Sequence, residues 1–482
     1  MKRKFFTNLI LLLTVNVLVK PVWLFGIDRT VQNVTGVVDY GLYYSLLALT
    51  ATLNILLDLG ITNYNNRNIS RHNHLLPKHL GNILGIKLIL AVLYAIVVLG
   101  WGFIVGYNRV QFHILSFLIV NQFLLQLILY LRSNLQALHL FTIDSMVSVL
   151  DRLFMILLCG ILLYTHITDG IFRIEWFVYV QSISYVLATL IILFIVMKKA
   201  GKIKLRFDFR FMLVFLKKTY PYAILILLMA FYNRFDTVLI ERLLPDNQGA
   251  RQVGLYMHGF RLLDAVSMFG VLFAGMLLPI FSRMIKMKQK IGEMVSFSFS
   301  LIIFLSVSIA LSSFFYQTDL MGWLYTDHIA ESAPIFAILM FGFIPIATTY
   351  IFGTLLTANG SIRQLNIMAA VGMTLNITLN LILIPRHQAL GAAIVSLCTQ
   401  TVTALAQVFI AIKVFRFTTS WVLLGKVAAF TGVVIGLGFL SRMIANPLVG
   451  YLSLLLFSTL TAFLIGLIDL RALIGILLNR EK

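Results

Sequence analysis

Ionisable side chains interrupt apolar stretches of this sequence at four places. Lys20 stands beside Pro21, Asp28 and Arg29 follow eight and nine residues later, Arg234 and Asp236 occupy the middle of the chain, and Arg261 and Asp264 are three apart. The chemistry open to these types is anion binding and proton exchange. Arginine presents planar, bidentate donors that fit phosphate oxygens, and a neighbouring carboxylate either holds the cation or takes up a proton. Lys20 lies where a proline removes a backbone hydrogen bond and can kink a helix. It faces either a phosphate or, by snorkelling its stem, the interface. Asp28/Arg29 and Arg234/Asp236 suit an anion site and suit equally a set of ion pairs locking two halves together. Arg261 and Asp264 share a helix face and are read as a mutual pair. Asp58, Asp151 with Arg152, and Arg132 stand near span ends, where anchoring or gate closure is the reading. Lys20, Arg29, Arg234 and Arg261 are assigned to substrate, and Asp28, Asp58, Asp236 and Asp264 to coupling or gating.

No nucleophile and base pattern, no phosphate-cradling glycine loop and no cluster of histidines and acids accompanies these residues. His72 and His74 fall in a basic loop and are read as solvated. The expectation is therefore no catalytic residue, no cofactor and no metal, which disfavours an ATP-driven pump and a membrane-embedded polysaccharide polymerase or ligase.

What positions such charges follows from composition. Of 482 residues, 60% are hydrophobic and 12% charged, and the mean hydropathy is +0.95; no soluble fold buries that much apolar surface. A hydrocarbon layer needs about 20 apolar residues per helical span. Runs of that length read as fourteen spans: Phe5–Gly26, Tyr43–Ile61, Leu80–Val105, Phe112–Leu131, Ile143–Leu163, Ile174–Met197, Pro221–Ile240, Gly254–Pro279, Ile291–Phe315, Ala333–Ala358, Leu365–Ile384, Leu390–Ile412, Val422–Leu440 and Leu448–Leu467. The fold class expected is an all-α polytopic membrane protein. The basic start Met1-Lys2-Arg3-Lys4 is read as leading into the first span rather than a cleaved signal.

The net charge of +20 sorts by loop. With the N-terminus in the cytoplasm, Arg67/Arg71/Lys78, Lys198 to Lys218, Arg283 to Lys290 and Lys413/Arg416 fall on one side, and Arg109, Arg173 and Arg386 stand nearly alone on the other. This is the positive-inside pattern, so membrane lipids rather than nucleic acid account for the charge. An even span count returns the C-terminus to the cytoplasm. Cys159 and Cys398 lie within spans and imply no disulfide.

The segment around Lys202, Lys204, Arg206 and Arg210 alternates with Phe207, Phe209 and Phe211, as suits a stretch lying along headgroups. It divides the chain into residues 1–200, a six-helix bundle; 201–218, a basic linker; 219–415, a second six-helix bundle; and 416–482, two further helices and a tail. The halves echo each other: Tyr40-Gly41-Leu42-Tyr43 enters the second span and Val253-Gly254-Leu255-Tyr256 the eighth. Transporters commonly place substrate paths at such repeats. Trp23, Tyr40, Tyr43, Tyr44, Tyr232 and Tyr256 are assigned to an interfacial aromatic belt, Asn376 and Asn380 to helix packing, and Gly81/Gly85 and Gly432/Gly436 to close helix approach.

Gly41-Leu42-Tyr43 through Leu56-Leu57-Asp58-Leu59-Gly60 and Arg67-Asn68-Ile69, with Thr357-Ala358-Asn359-Gly360, the run Asn376 to Pro385, and Gly391-Ala392-Ala393-Ile394, resemble polysaccharide-type (Wzx-like) oligosaccharide flippases of the multidrug, oligosaccharidyl-lipid and polysaccharide exporter superfamily. The resemblance covers nearly the whole chain. It implies two pseudo-symmetric six-helix bundles plus two C-terminal helices, in the bacterial cytoplasmic (inner) membrane. It implies flipping of undecaprenyl-pyrophosphate-linked oligosaccharide units by alternating access, for O-antigen or capsule assembly, with a polysaccharide polymerase as partner. The rival from the same superfamily is an ion-coupled multidrug exporter, whose cationic cargo would favour acids where this chain has at least as many bases.

Overall fold

The computed structural model describes residues 18–468 except 20, 63–64, 66–68, 70–75, 139, 166–171, 201–208 and 418–419, and the backbone alone at 78, 141, 200, 209–219, 221–222, 246–247, 272, 276 and 279. Lys20, Arg67, Arg71, His72, His74, the Lys78 side chain and the basic linker with Lys202, Lys204, Arg206 and Arg210 lie outside the described residues.

In an apolar solvent the backbone must satisfy its own hydrogen bonds, and helices do so within one segment. Among the described residues every regular element is helical. A π-helical stretch, Val22–Asp28, passes into a helical segment, Arg29–Thr52, broken at Gly36. The part up to residue 35 is α1 and residues 37–52 are α2. A 3-10 turn, Asn54–Leu57, follows. Then come α3 (Leu76–Val105), α4 (Arg109–Ala137), α5 (Phe141–Val147), α6 (Leu150–Tyr164), α7 (Ile174–Ala200), α8 (Phe209–Arg234), α9 (Asp236–Leu243) and α10 (Asp246–Lys286). After these run α11 (Gly292–Phe315), α12 (Gln317–Leu324), α13 (Ile329–Phe341) and α14 (Phe343–Asn359). The segment Ile362–Phe415 breaks at Gln388 into α15 (362–387) and α16 (389–415), and α17 (Trp421–Ser441) and α18 (Pro447–Leu464) complete the order.

Among the described residues ten helical stretches are long and apolar enough to cross a bilayer, α5 with α6, α13 with α14 and α15 with α16 each counting as one, and α8 with α9 makes one further span bent by 50°. The longest of the ten, 362–415, is two helices broken at Gln388. Their outward faces are apolar to a degree only lipid tolerates: Phe103 is 74% exposed, Ile104 84% and Leu464 86%. The chain is a multi-pass membrane protein.

Two expected boundaries move. The first span does not stop at Gly26; helical backbone continues to residue 35 and reverses at Gly36, whose φ of 79° and ψ of 169° suit glycine alone. Gly26 is tolerated in mid-helix because its backbone stays helical. Arg29 therefore lies about 10 Å inside the turn at roughly 1.5 Å per residue, not at a helix end. The second span begins correspondingly earlier, and its helix ends at Thr52.

The chain divides into two compact units, Met1–Gly254 and Leu255–Lys482. In the first, α4 packs along α7, α7 along α6, and the helices about Gly36 pack on α4, α8 and α9. In the second, α11 packs against α13, α14, α17 and α18. Ile303, Val307 and Leu311 of α11 share a core with Phe430, Val434 and Leu454. Arg442 caps this corner, 2.8 Å from Asp319 and over the Tyr316 ring at 4.3 Å. The expectation for Gly432/Gly436 is overturned: a β-carbon on either meets nothing within 4 Å. The buried stripe of α17 is Phe430, Val434 and Gly438, where an added β-carbon would strike Phe315.

Candidate functional site

Arg29 begins the regular α-helical backbone that follows the widened π turns of Val22–Asp28, a helix irregularity frequent at functional positions. Its neighbour Asp28 is 1% exposed, and the Tyr40 hydroxyl of α2 donates to Asp28 Oδ2 at 3.1 Å. Among the described residues Arg29 makes no ion pair with the sequence-adjacent acid, unlike Arg152 with Asp151 and Arg242 with Glu241. Its Nε is buried with no hydrogen-bond partner among the described residues. The local hydroxyls do not serve it either: Thr30 donates to Gly26 O at 2.7 Å and Thr35 to Val31 O at 2.9 Å.

Four other cations of the first unit each have an acid beside them. Lys87, 1% exposed, donates to Asp58 Oδ1 at 2.9 Å and Leu57 O at 3.2 Å, under the Tyr130 ring. Arg132 bridges to Asp144 at 2.8 and 3.4 Å, with Gln136 donating to the same carboxylate. Arg152 lies 3.6 Å from Asp151 and over Trp23, whose other neighbour is a parallel Phe177 ring. Arg242 pairs with Glu241, which also accepts from Gln111 at 3.0 Å, and covers the Tyr107 ring at 4.1 Å. Burial first, and the Glu241 charge second, push the Tyr107 hydroxyl above its ordinary range, so Arg242 stacks on a neutral phenol. Charges in lipid are expensive unless paired, hydrogen-bonded or wet. Arg29 has a buried Nε without a hydrogen-bond partner among the described residues, as Arg242 has at Nε and Nη2, but unlike Arg242 it has no ion pair there.

The end of the first unit that carries Gly36 is held by a crossing without side chains. A β-carbon on Gly41 would collide with Ala250 O, and one on Gly254 with Val37 O. Gln32 donates to Gly254 O at 3.3 Å alongside. The two glycines of the sequence echo are thus the contact point of two helices. Arg234 and Asp236 flank Phe235 at the bend between α8 and α9, about 12–15 Å before the turn at Leu244 along the axis. Arg29 stands at a similar depth before Gly36.

The other candidates are placed as follows. Arg234 is exposed and Asp236 1% exposed; Arg261 and Asp264 are part-buried on α10, one turn apart in the second unit. Asp58 is engaged by Lys87, and by Thr62, whose hydroxyl lies 2.5 Å away. Lys20 lies outside the described residues. Asn380 donates to Asn376 Oδ1 at 3.1 Å in a fully buried pair. The aromatic belt is corrected: Tyr40, Tyr43, Tyr44, Tyr232, Tyr256 and Trp23 are all 7% exposed or less. In the first unit Tyr40, Tyr43 and Tyr44 pack on one another, and Gln181 donates to Tyr43 at 2.6 Å. Two residues escaped the sequence reading. Lys87 was signalled by a lone lysine within an apolar run; the Tyr40 bond to Asp28 had no local signal.

The profile of a family described as polysaccharide biosynthesis protein matches residues 5–285. No curated protein matches the sequence. Among solved structures, lipid II flippase MurJ in an inward closed conformation is similar at TM-score 0.69 and 13% identity, covering 96% of this chain and 100% of that one. An inward-facing multidrug resistance MATE family transporter of the MOP superfamily gives TM-score 0.58 at 14% identity, covering 82% and 96%. The Vibrio cholerae MATE transporter VcmN in its bent form gives 0.56 at 14%, covering 86% and 97%. Identities this low show the shared fold.

Proposed function

The chain belongs to the polysaccharide biosynthesis protein family, and from that premise we propose that it flips undecaprenyl-pyrophosphate-linked oligosaccharide units from the cytoplasmic to the outer leaflet, for O-antigen or capsule assembly. The observation that carries this reading is the buried Nε of Arg29, which has no hydrogen-bond partner among the described residues. Sugar hydroxyls and a pyrophosphate cross hydrocarbon poorly, each unpaired hydroxyl costing about 4–8 kcal/mol in alkane. A cation with its hydrogen-bonding fork open offsets the charge while the isoprenoid tail stays among lipids.

In this reading Lys20, Arg29, Arg234 and Arg261 meet the pyrophosphate, and Asp28, Asp58, Asp236 and Asp264 couple or gate. Two six-helix bundles, 1–200 and 219–415, alternate access with a proton or sodium gradient supplying direction; the basic linker and both termini are cytoplasmic in a bacterial inner membrane, and a polymerase takes the product. The solved structures with this fold bear the names of a flippase and of transporters, and the chain is read as a transporter rather than an enzyme. The multidrug names favour a second reading, export of drugs. Against it, the flippase MurJ is covered over its whole length by 96% of this chain, whereas the first multidrug transporter leaves 18% unmatched.

Reconstituted vesicles separate the two. Protein-dependent flipping of a fluorescent undecaprenyl-pyrophosphate oligosaccharide, read by dithionite quenching, is the expected result. Protein-dependent uptake of a cationic dye without glycolipid flipping would establish the exporter instead.

A further inference from the structure

We propose that a groove between α15 and α16 holds one acyl chain of an anionic phospholipid, whose phosphate is met by Arg363 and Lys413. Both helices belong to the second unit. The groove has a volume of about 290 Å³, and its wall includes Met368 and Gly372 of α15 and Thr403 and Ala406 of α16. Glycine and alanine at these places give it depth. Ile367, Val371 and Val402 also line it and are 58%, 57% and 42% exposed, so it opens on an apolar outer surface. The Thr403 hydroxyl is spent on its own helix, on Thr399 O at 2.9 Å and Gln400 O at 3.0 Å, and offers a ligand no free donor. Such a wall suits hydrocarbon, because an unfilled groove forfeits dispersion contacts that a chain lying in it restores.

The charges stand at one end. The chain reverses at Gln388, and Gln364 and Ile410 line the groove at the end remote from that reversal. Arg363 lies one turn before Ile367 and Lys413 one turn after Ile410, each on the helix face of the lining residue. The two are equally far along the chain from Gln388, which sets them at one height. Both are exposed, and among the described residues neither side chain has an ion pair or a hydrogen bond. Two free cations at the mouth of an apolar slot complement a phosphate carried on a hydrocarbon chain, and basic sites between membrane helices take anionic headgroups in this way. The lining of α15 from Gln364 to Gly372 rises about 12 Å at roughly 1.5 Å per residue. That length lies within the roughly 15 Å of one leaflet, half of the hydrocarbon layer. It matches an acyl chain, whereas a polyprenyl tail would overrun it.

The test places a reporter in the groove of the full chain by Val371→Trp, or by Ile367→Trp should the first fail to fold, and reads its fluorescence as the difference from the parent. The protein is reconstituted in phosphatidylcholine bilayers in which dibrominated phosphatidylglycerol is the quencher. Quenching is expected to saturate at a low fraction of phosphatidylglycerol, a preference of roughly tenfold or more, as two basic residues beside an anionic headgroup supply. Arg363→Gln with Lys413→Gln, two exposed changes, is expected to make quenching follow the bulk fraction, and Ala406→Leu, which fills the groove, to reduce it at every fraction. Inorganic phosphate at millimolar concentration is expected to leave the quenching of the reporter protein unchanged. Quenching that follows the bulk fraction in the reporter protein, or a preference that survives the loss of both cations or the filling of the groove, overturns the proposal. Relief of quenching by inorganic phosphate would reduce the site to its two cations and overturns the role of the groove. Relief by undecaprenyl phosphate at a fraction well below that of phosphatidylglycerol would assign the groove to a polyprenyl lipid and overturns the phospholipid as its occupant.

Discussion

Gly41 and Gly254 face each other's helix backbones: a β-carbon on the first would enter Ala250 O, and one on the second Val37 O. The crossing leaves no room for any other residue, since the obstacle is backbone and cannot rotate aside. Gly41→Ala or Gly254→Ala is expected to cost about 1–3 kcal/mol, the usual penalty of overpacking, seen as a lowered thermal midpoint in detergent. Gly432→Ala, with nothing within 4 Å of its added β-carbon, is the control and is expected to leave the midpoint unchanged or raise it. Equal behaviour of the three would contradict the crossing.

Lys87 and Asp58 form a buried pair whose removal by halves is worse than its removal whole. Lys87→Met leaves a carboxylate, and Asp58→Asn a fully buried ammonium at 1% exposure. Each single change is expected to cost about 3 kcal/mol or more, while the double variant recovers most of the loss. A thermal double-mutant cycle measures this; additive losses would mean that the two charges do not depend on each other.

Gln388 reverses the chain between α15 and α16 with φ 52° and ψ −136°, a region glycine occupies and side chains resist. Gln388→Gly is expected to stabilise the protein by about 1 kcal/mol, and Gln388→Ala, which keeps a β-carbon, is not. Equal midpoints for both variants would show that the turn carries no strain.

The spans were legible in the sequence because lipid imposes one rule on every segment, and apolar runs from Leu80 to Val105 or Val422 to Leu440 announce themselves by length. The family was legible for a similar reason, through motifs such as Gly41-Leu42-Tyr43 and Asn376 to Pro385. The break at Gly36 was not, since Gly26 beside Asp28 and Arg29 imitates a helix end. Only backbone geometry distinguishes a glycine that stays helical from one with φ 79°. Tyr40 and Tyr43 read as belt residues because tyrosines near span ends suit a belt; Tyr43 is buried against Phe177 and Gln181, more than a hundred residues away, and Tyr40 packs on Tyr43. The echo at Gly254 was visible as a repeat, but that its two copies touch is a property of packing alone.

Arg29 is the point on which the transport reading turns, and vesicle flipping of a fluorescent undecaprenyl-pyrophosphate oligosaccharide tests it most directly. The expected result is a rate at least about tenfold lower for Arg29→Ala, as for loss of a charge-assisted hydrogen bond, with partial recovery in Arg29→Lys and an unchanged thermal midpoint. Flipping by Arg29→Ala at the parent rate would contradict it.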